Sequence, residues 1–254
     1  MHLSKRLGVI AFLTVWGLAG PSSATVINGS SSANGASVSL TGPINATLLS
    51  AAPVGSAAPP TYNLTNNLAS LAVPTVLSTG VINTAASSNV DGNPGARQAT
   101  ASSEVNNVNL GIILGTIITP IPVITLTTSK VTTTATVSGE PLSAVGTTNI
   151  IGGSLQIGAL TAIPIPVSPA ANTILVNNVL GITVTLNEQI LAGALGITVN
   201  AIHINFANAL ALGINGDIIV SHSQAQLASN VPEPSTALLV GMGLVLLGAH
   251  RRRS

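Results

Sequence analysis

The stretch ITLTTSKVTTTATV (Ile124–Val137) alternates residues with a period of two and is crowded with β-branched side chains. Period two sends successive side chains to opposite faces of an extended chain, and a helix that buries one stripe needs a spacing near 3.6. The same alternation recurs in ASVSL (Ala36–Leu40), ITVTL (Ile182–Leu186) and ITVNAIHINF (Ile197–Phe206), so these segments are expected to be half-buried strands. Turn chemistry lies between them: NVDGNPGAR (Asn89–Arg97) suits a hairpin loop, and SGEP (Ser138–Pro141) and NGD (Asn215–Asp217) read as further turns. The proline pairs in TPIPV (Thr119–Val123) and IPIPV (Ile163–Val167) cannot donate to a ladder and belong at edges or connections. The expected fold class is all-β, an antiparallel sandwich or a barrel-like pair of sheets. A β-solenoid is the alternative, against which stands the lack of a repeat of constant period.

Composition sharpens this. Aromatic residues are 2% and charged residues 5% of the 254, so the core has to be aliphatic and most of the surface polar but uncharged. Edges so poor in charge are weakly defended against strand addition, and self-association is expected. The chain has no cysteine, which excludes disulfides, thiolate metal sites and a cysteine nucleophile. Of seven Lys and Arg, only Arg97 and Lys130 lie away from the ends, facing Asp91, Glu104, Glu140, Glu188 and Asp217. That mildly acidic centre does not suit a nucleic-acid partner, which needs clustered basic groups.

The ends carry the remaining charge. At the start, Lys5 and Arg6 precede an apolar run from Leu7 to Ala19, and small residues lead to Ala24 and Thr25. This is the layout of a secretory signal cut by signal peptidase between Ala24 and Thr25, with an uncleaved anchor as the alternative. Residues 1–24 are thus the expected signal helix, 25–230 an exported domain and 231–254 a tail. The first 40 residues of the exported domain, rich in Ser, Ala, Asn and Pro, read as partly irregular. In the tail, Val231-Pro232-Glu233-Pro234 is held extended by its prolines. The apolar run Thr236–Ala249 that follows is about 21 Å long as a helix at ~1.5 Å per residue, short for a ~30 Å hydrocarbon core. Arg251, Arg252 and Arg253 would hold the terminus on the cytoplasmic side during transient or permanent insertion in the inner membrane.

In that order, the Pro-Glu-Pro triplet, short apolar helix and basic terminus resemble the PEP-CTERM sorting signal of Gram-negative bacteria. The resemblance covers the last 24 residues and implies processing by an exosortase, a surface or extracellular destination, and a recognition role for Glu233. The central region also resembles the choice-of-anchor P family of exported domains. That likeness is carried by VPTVLSTGVINTAASSNVDG (Val73–Gly92), GTTNIIGGSLQIG (Gly146–Gly158), PAANTILVNNVLGITVTLNEQI (Pro169–Ile190) and ITVNAIHINF. It implies an exported domain and supplies no functional residues.

Candidate reactive groups are few: His203, His222, Glu104, Glu140, Glu188, Asp91 and Asp217. No Gly-x-Ser-x-Gly elbow or His-Glu-x-x-His motif organises them, so no catalytic residue, metal site or cofactor is expected. His203 is expected on a solvent face beside Ala201 and Asn205, and His222 on another. Glu188, amid Asn187 and Gln189, is expected in a hydrogen-bonded polar cluster, and Asp91 in a turn. Thr132, Thr134 and Thr136 fall on one strand face, a pattern that could order water. Outside the signal only Tyr62 and Phe206 are aromatic, which leaves little for sugar stacking. The resulting expectation is a non-enzymatic exported protein of the cell surface or matrix, sorted through its tail. The alternative is a secreted carbohydrate-binding module associated with exopolysaccharide, and a hydrolase using His203 or His222 comes third.

Overall fold

A computed structural model describes residues 25–93, 95–114, 121–139, 142–209 and 211–230. The expected signal helix, the expected C-terminal helix and Glu140 lie outside the described residues, among which no helix is long and apolar enough to cross a membrane.

The chain opens one sheet with β1 (Thr25–Thr41), β2 (Ala46–Leu48) and β3 (Val54–Ala58). It then builds a second sheet from β4 (Tyr62–Leu68), β5 (Leu71–Val73), β6 (Leu77–Thr79), β7 (Ile82–Ser88), β8 (Gln98–Leu114), β9 (Ile121–Ser138), β10 (Ser143–Ile151), β11 (Gly153–Ile157) and β12 (Ile163–Ile165). It returns to the first sheet with β13 (Thr173–Val179), β14 (Ile182–Leu191), β15 (Gly196–Ala209) and β16 (Ile214–Asn230), a single 3-10 turn joining β14 to β15. The first sheet runs β13-β14-β15-β16-β1-β2, with β3 also on β1. The second is organised on the long hairpin β8–β9, with β10 and β11 sharing the outer side of β9 and β7 and β6 sharing that of β8. β1 and β16 are antiparallel, because Leu40 adjoins Gly216, Ser32 bonds Gln224 and Gly29 adjoins Leu227. Val26 and Ala228, at the two ends of the domain, therefore lie at the same end of the first sheet.

Both strand paths are open, so neither sheet closes into a barrel, and antiparallel pairing with neighbours rules out a parallel solenoid. The sheets meet face to face. Leu40, Ile182, Leu186 and Ile202 from the first pack with Ile82, Leu110, Ile124 and Leu126 from the second in one aliphatic core. Phe206 is its single buried aromatic among the described residues.

The 40 residues expected to be partly irregular do contain loops at 42–45, 49–53 and 59–61, but they open with β1, a 17-residue strand inside the first sheet. Its small residues are there for packing. A Cβ on Gly35 would stand 2.2 Å from Ile82 Cγ2 of the opposite sheet, so only glycine permits that approach. Asn215-Gly216-Asp217, expected to turn, lies within β16, and the reversal falls just before it, with Ala209 opposite Ile214. Pro122, expected at an edge or a connection, is the second residue of β9, an interior strand, where the register with β8 shifts. There the missing donor interrupts little of the ladder. Ile163–Ile165 does form an edge strand, paired to β11.

A further feature escaped the periodicity. In the long strands the alternation slips by one residue at a common level. Buried positions run Ser31, Ala33 and then Ala36, Val38, Leu40 in β1; Ala99 to Val105 by twos and then Val108, Leu110, Ile112 in β8. They run Ile197, Val199, Ala201 and then Ile202, Ile204, Phe206 in β15; Ile218, Val220 and then Ser221, Ser223, Ala225 in β16. Asn107, Asn187 and Ser221 take positive φ at or beside this line. Since paired strands slip together, register survives across it. On one side lies the large aliphatic core, and on the other a smaller cluster of Val26, Val90, Ala99, Ala135, Val137, Val199, Ala225 and Leu227.

Candidate functional site

Two polar constellations stand on the outer faces of the sandwich. The first spans β14, β15 and β16. His203 Nδ1 lies 3.0 Å from Glu188 Oε2, and His203 Nε2 lies 3.0 Å from Asp217 Oδ1. Asn200 Nδ2 donates to the same Glu188 oxygen at 2.6 Å, and Asn205 Nδ2 donates to Asp217 Oδ1 at 2.8 Å. His222 Nδ1 adds a contact of 2.7 Å to Asn200 Oδ1. With the amide nitrogen of Asn200 committed to Glu188, its oxygen accepts, so His222 donates through Nδ1. The network therefore runs from Asn205 through Asp217, His203, Glu188 and Asn200 to His222.

The slip in alternation creates this arrangement. Ala201 and Ile202 both point inward, which leaves Asn200 and His203 on the outer face. Ala201 was expected beside His203 and is instead fully buried, while Asn205 is exposed as expected. Neither histidine is a freely solvated strand residue: both are half-buried and hydrogen-bonded. Glu188 does belong to a polar cluster, whose other acid, Asp217, comes from a strand the sequence did not connect to it.

Electrostatics set the two histidines apart. Burial opposes charge on His203, but hydrogen bonds to Asp217 and Glu188 outweigh it and raise its pKa above 6.5. Burial alone lowers that of His222. Doubly protonated, His203 donates one N–H to each carboxylate; neutral, it presents a lone pair to one of them. The folded protein thus holds more protons than the unfolded chain between pH 6.5 and the raised folded-state value. The stabilisation is full below that window and fades as pH rises through the folded value. An NMR titration should give His203 a midpoint above 6.5 and His222 one below it, and Glu188→Gln should lower the first and spare the second. A His203 midpoint below 6.5 would mean that the clamp does not form in solution.

The clamp constrains chemistry. With both ring nitrogens engaged by carboxylates, His203 has neither free to act as a general base. The carboxylates flank opposite sides of the ring instead of converging, and among the described residues no three His, Asp or Glu groups form a metal-ligand set. Ser221 points into the core, away from His203, and bonds Thr133 and Ser103.

The second constellation lies on the outer face of β4, β7, β8 and β9. Thr132, Thr134 and Thr136 do share a face there, opposite Glu104, Ser102 and Thr100 of β8. Lys130 Nζ lies 2.6 Å from Glu104 Oε2, and Asn106 Nδ2 donates to Oε1 at 3.1 Å. The Lys130 bond, followed by that of Asn106, holds the Glu104 carboxyl below the ordinary glutamate range. Asp91 stays in its loop, accepting from the Asn93 amide and pairing with Arg97. Neither aromatic among the described residues offers an open ring platform: Phe206 is in the core, and half-buried Tyr62 shares a hydrogen bond with Ser31 through its hydroxyl.

Of the residues assigned to processing, Thr25 opens β1. Ala24, Val231, Pro232, Glu233, Pro234, Arg251, Arg252 and Arg253 lie outside the described residues. No curated protein and no solved structure matches the chain. Residues 230–254 match the PEP-CTERM protein-sorting motif, which marks an exported protein with an exosortase as its processing partner.

Proposed function

We propose that this chain is a non-enzymatic protein of the cell surface or extracellular matrix, held briefly at the inner membrane by its tail and freed when the tail is cut. The observation that carries the reading is the sorting motif at residues 230–254. The sandwich supports it from the other side. Its two outer-face networks saturate their own ionisable groups, His203 against Glu188 and Asp217, and Lys130 against Glu104. Such a surface is suited to persistence and contact rather than turnover. The likeness of the central stretches to choice-of-anchor P domains agrees with an exported scaffold whose mode of attachment is set by its tail.

The test is the intact mass of the protein recovered from outside the cell. The expected species begins at Thr25 and lacks the apolar run and the terminal arginines. Replacing Pro232 and Glu233 by alanine should yield a heavier form that fractionates with membranes, with released protein reduced at least tenfold. Extracellular material of full C-terminal mass, or a double variant released as before, would overturn the proposal.

A further inference from the structure

We propose that the outer face of the second sheet carries a binding groove for a neutral, densely hydroxylated polymer, a glycan chain. Register places Asn67, Asn83, Glu104 and Thr132 side by side across β4, β7, β8 and β9. Two residues along, Thr65, Ala85, Ser102 and Thr134 form a parallel row. The second row sinks at Ala85 and Ser102, whose side chains are small, and a groove of about 700 Å³ opens over them. It crosses the strands, roughly 14 Å from β4 to β9 at ~4.8 Å per strand.

One wall of the groove is built in advance of any ligand. Asn67 Nδ2 donates to Asn83 Oδ1, and Asn83 Nδ2 donates at 3.4 Å to Glu104 Oε1, which also accepts from Asn106 while Lys130 holds Oε2. The amide nitrogens of Asn67 and Asn83 each carry a second hydrogen, and each Thr or Ser hydroxyl can donate and accept. Groups fixed in this way lose little freedom when they bind.

The lining also selects the class of occupant. Lys130 neutralises Glu104, so the groove offers no net charge to a polyanion or polycation. It holds no aromatic ring and no large aliphatic side chain, so a lipid or an apolar peptide finds nothing to bury against. The matching surface is dense in hydroxyls and uncharged. Without ring stacking the affinity of one chain segment is weak, about millimolar, and effective retention depends on several copies engaging one polymer.

The experiment is native affinity electrophoresis of the purified protein as released from cells, in gels containing dextran, galactomannan or a soluble β-glucan, with hyaluronate and heparin as charged comparisons. The expected result is retardation by at least one neutral glycan that added salt does not abolish. Ser102→Tyr, which fills the floor, should weaken it at least tenfold; Asn83→Ala, which breaks the wall and keeps the backbone, should weaken it about tenfold. Thr185→Val on the other sheet should leave it unchanged. Asn83→Ala decides the matter if Ser102→Tyr fails to fold. No retardation by any neutral glycan, retardation unchanged in Asn83→Ala, or salt-sensitive retardation by the charged polymers alone would overturn the proposal. Sorting plays no part in this readout, so the inference can fail while the processing scheme stands.

Discussion

Gly216→Ala is expected to destabilise the sandwich by about 4 kcal/mol or more, in the range reserved for backbone clash and forced conformations. Gly216 has φ +125°, where an L side chain is strained, and a Cβ there would stand 1.9 Å from the carbonyl oxygen of Ser39. The obstacle is backbone, so no rotamer change relieves it, and β1 would have to part from β16. Gly213→Ala supplies the comparison. Its φ of +77° is also unfavourable, but no atom lies within 4 Å of the added Cβ. That variant should lose only about 1–2 kcal/mol to the left-handed conformation. Urea unfolding of the two proteins separates the effects. Equal losses would mean that the first and last strands do not approach as closely as described.

The pairing of β1 with β16 also shows where sequence reasoning stops. Ile124–Val137 and Ile182–Leu186 announce themselves as strands because apolar and polar residues alternate within each segment, a local signal. β1 gives no such signal at its start. Ser31, Ala33 and Gly35 look like the composition of a loop, yet they face inward, and Gly35 is kept small by the nearness of Ile82. The requirement lies in the opposite sheet, 47 residues further along the chain. Asn215-Gly216-Asp217 fails for a related reason. Its glycine is needed because Ser39 crowds it, whereas the same three letters ordinarily mark a turn.

The candidate sites divide in the same way. That Asp91 stays in its loop could be read from the Gly and Pro around it, whereas Asn187 and Gln189, expected to cluster with Glu188, bond each other and the Pro169 and Gly146 carbonyls instead. The partnership of His203 with Asp217 and Glu188 could not be read this way, since those groups are 14 and 15 residues away on neighbouring strands. It depends on register, and on the slip between Ala201 and Ile202 that turns His203 outward while Ala201 goes in. The groove on the other face is likewise a product of four strands in register, of which only the threonine row of β9 is visible locally.

Thr133→Val should cost about 2–4 kcal/mol despite conserving shape, because Thr133 is the centre of a buried hydroxyl chain that joins the two sheets. Its Oγ1 lies 2.7 Å from Ser223 Oγ and 3.0 Å from Ser221 Oγ, and Ser221 donates to the Ser103 carbonyl at 3.0 Å. With the Ser221 hydrogen committed to that carbonyl, Thr133 donates to Ser221 and Ser223 donates to Thr133. Valine removes a donor and an acceptor together, leaving two fully buried serine hydroxyls with one partner each, Ser221 the Ser103 carbonyl and Ser223 the Thr133 carbonyl at 3.5 Å. Each such loss is worth about 1–3 kcal/mol. If the chain acts as a unit, adding Ser223→Ala to Thr133→Val should cost less than the sum of the single changes, with a coupling of about 1 kcal/mol or more. Strict additivity, or a Thr133→Val loss below about 0.5 kcal/mol, would show that the hydroxyls do not form one cooperative chain. The chain's position, between the large aliphatic core and the small cluster around Val199 and Leu227, gives it a further role. Aliphatic contacts are less directional than hydrogen bonds. The hydroxyls must meet partners within 3 Å across the sandwich, so this layer fixes how the two sheets are aligned where the alternation slips.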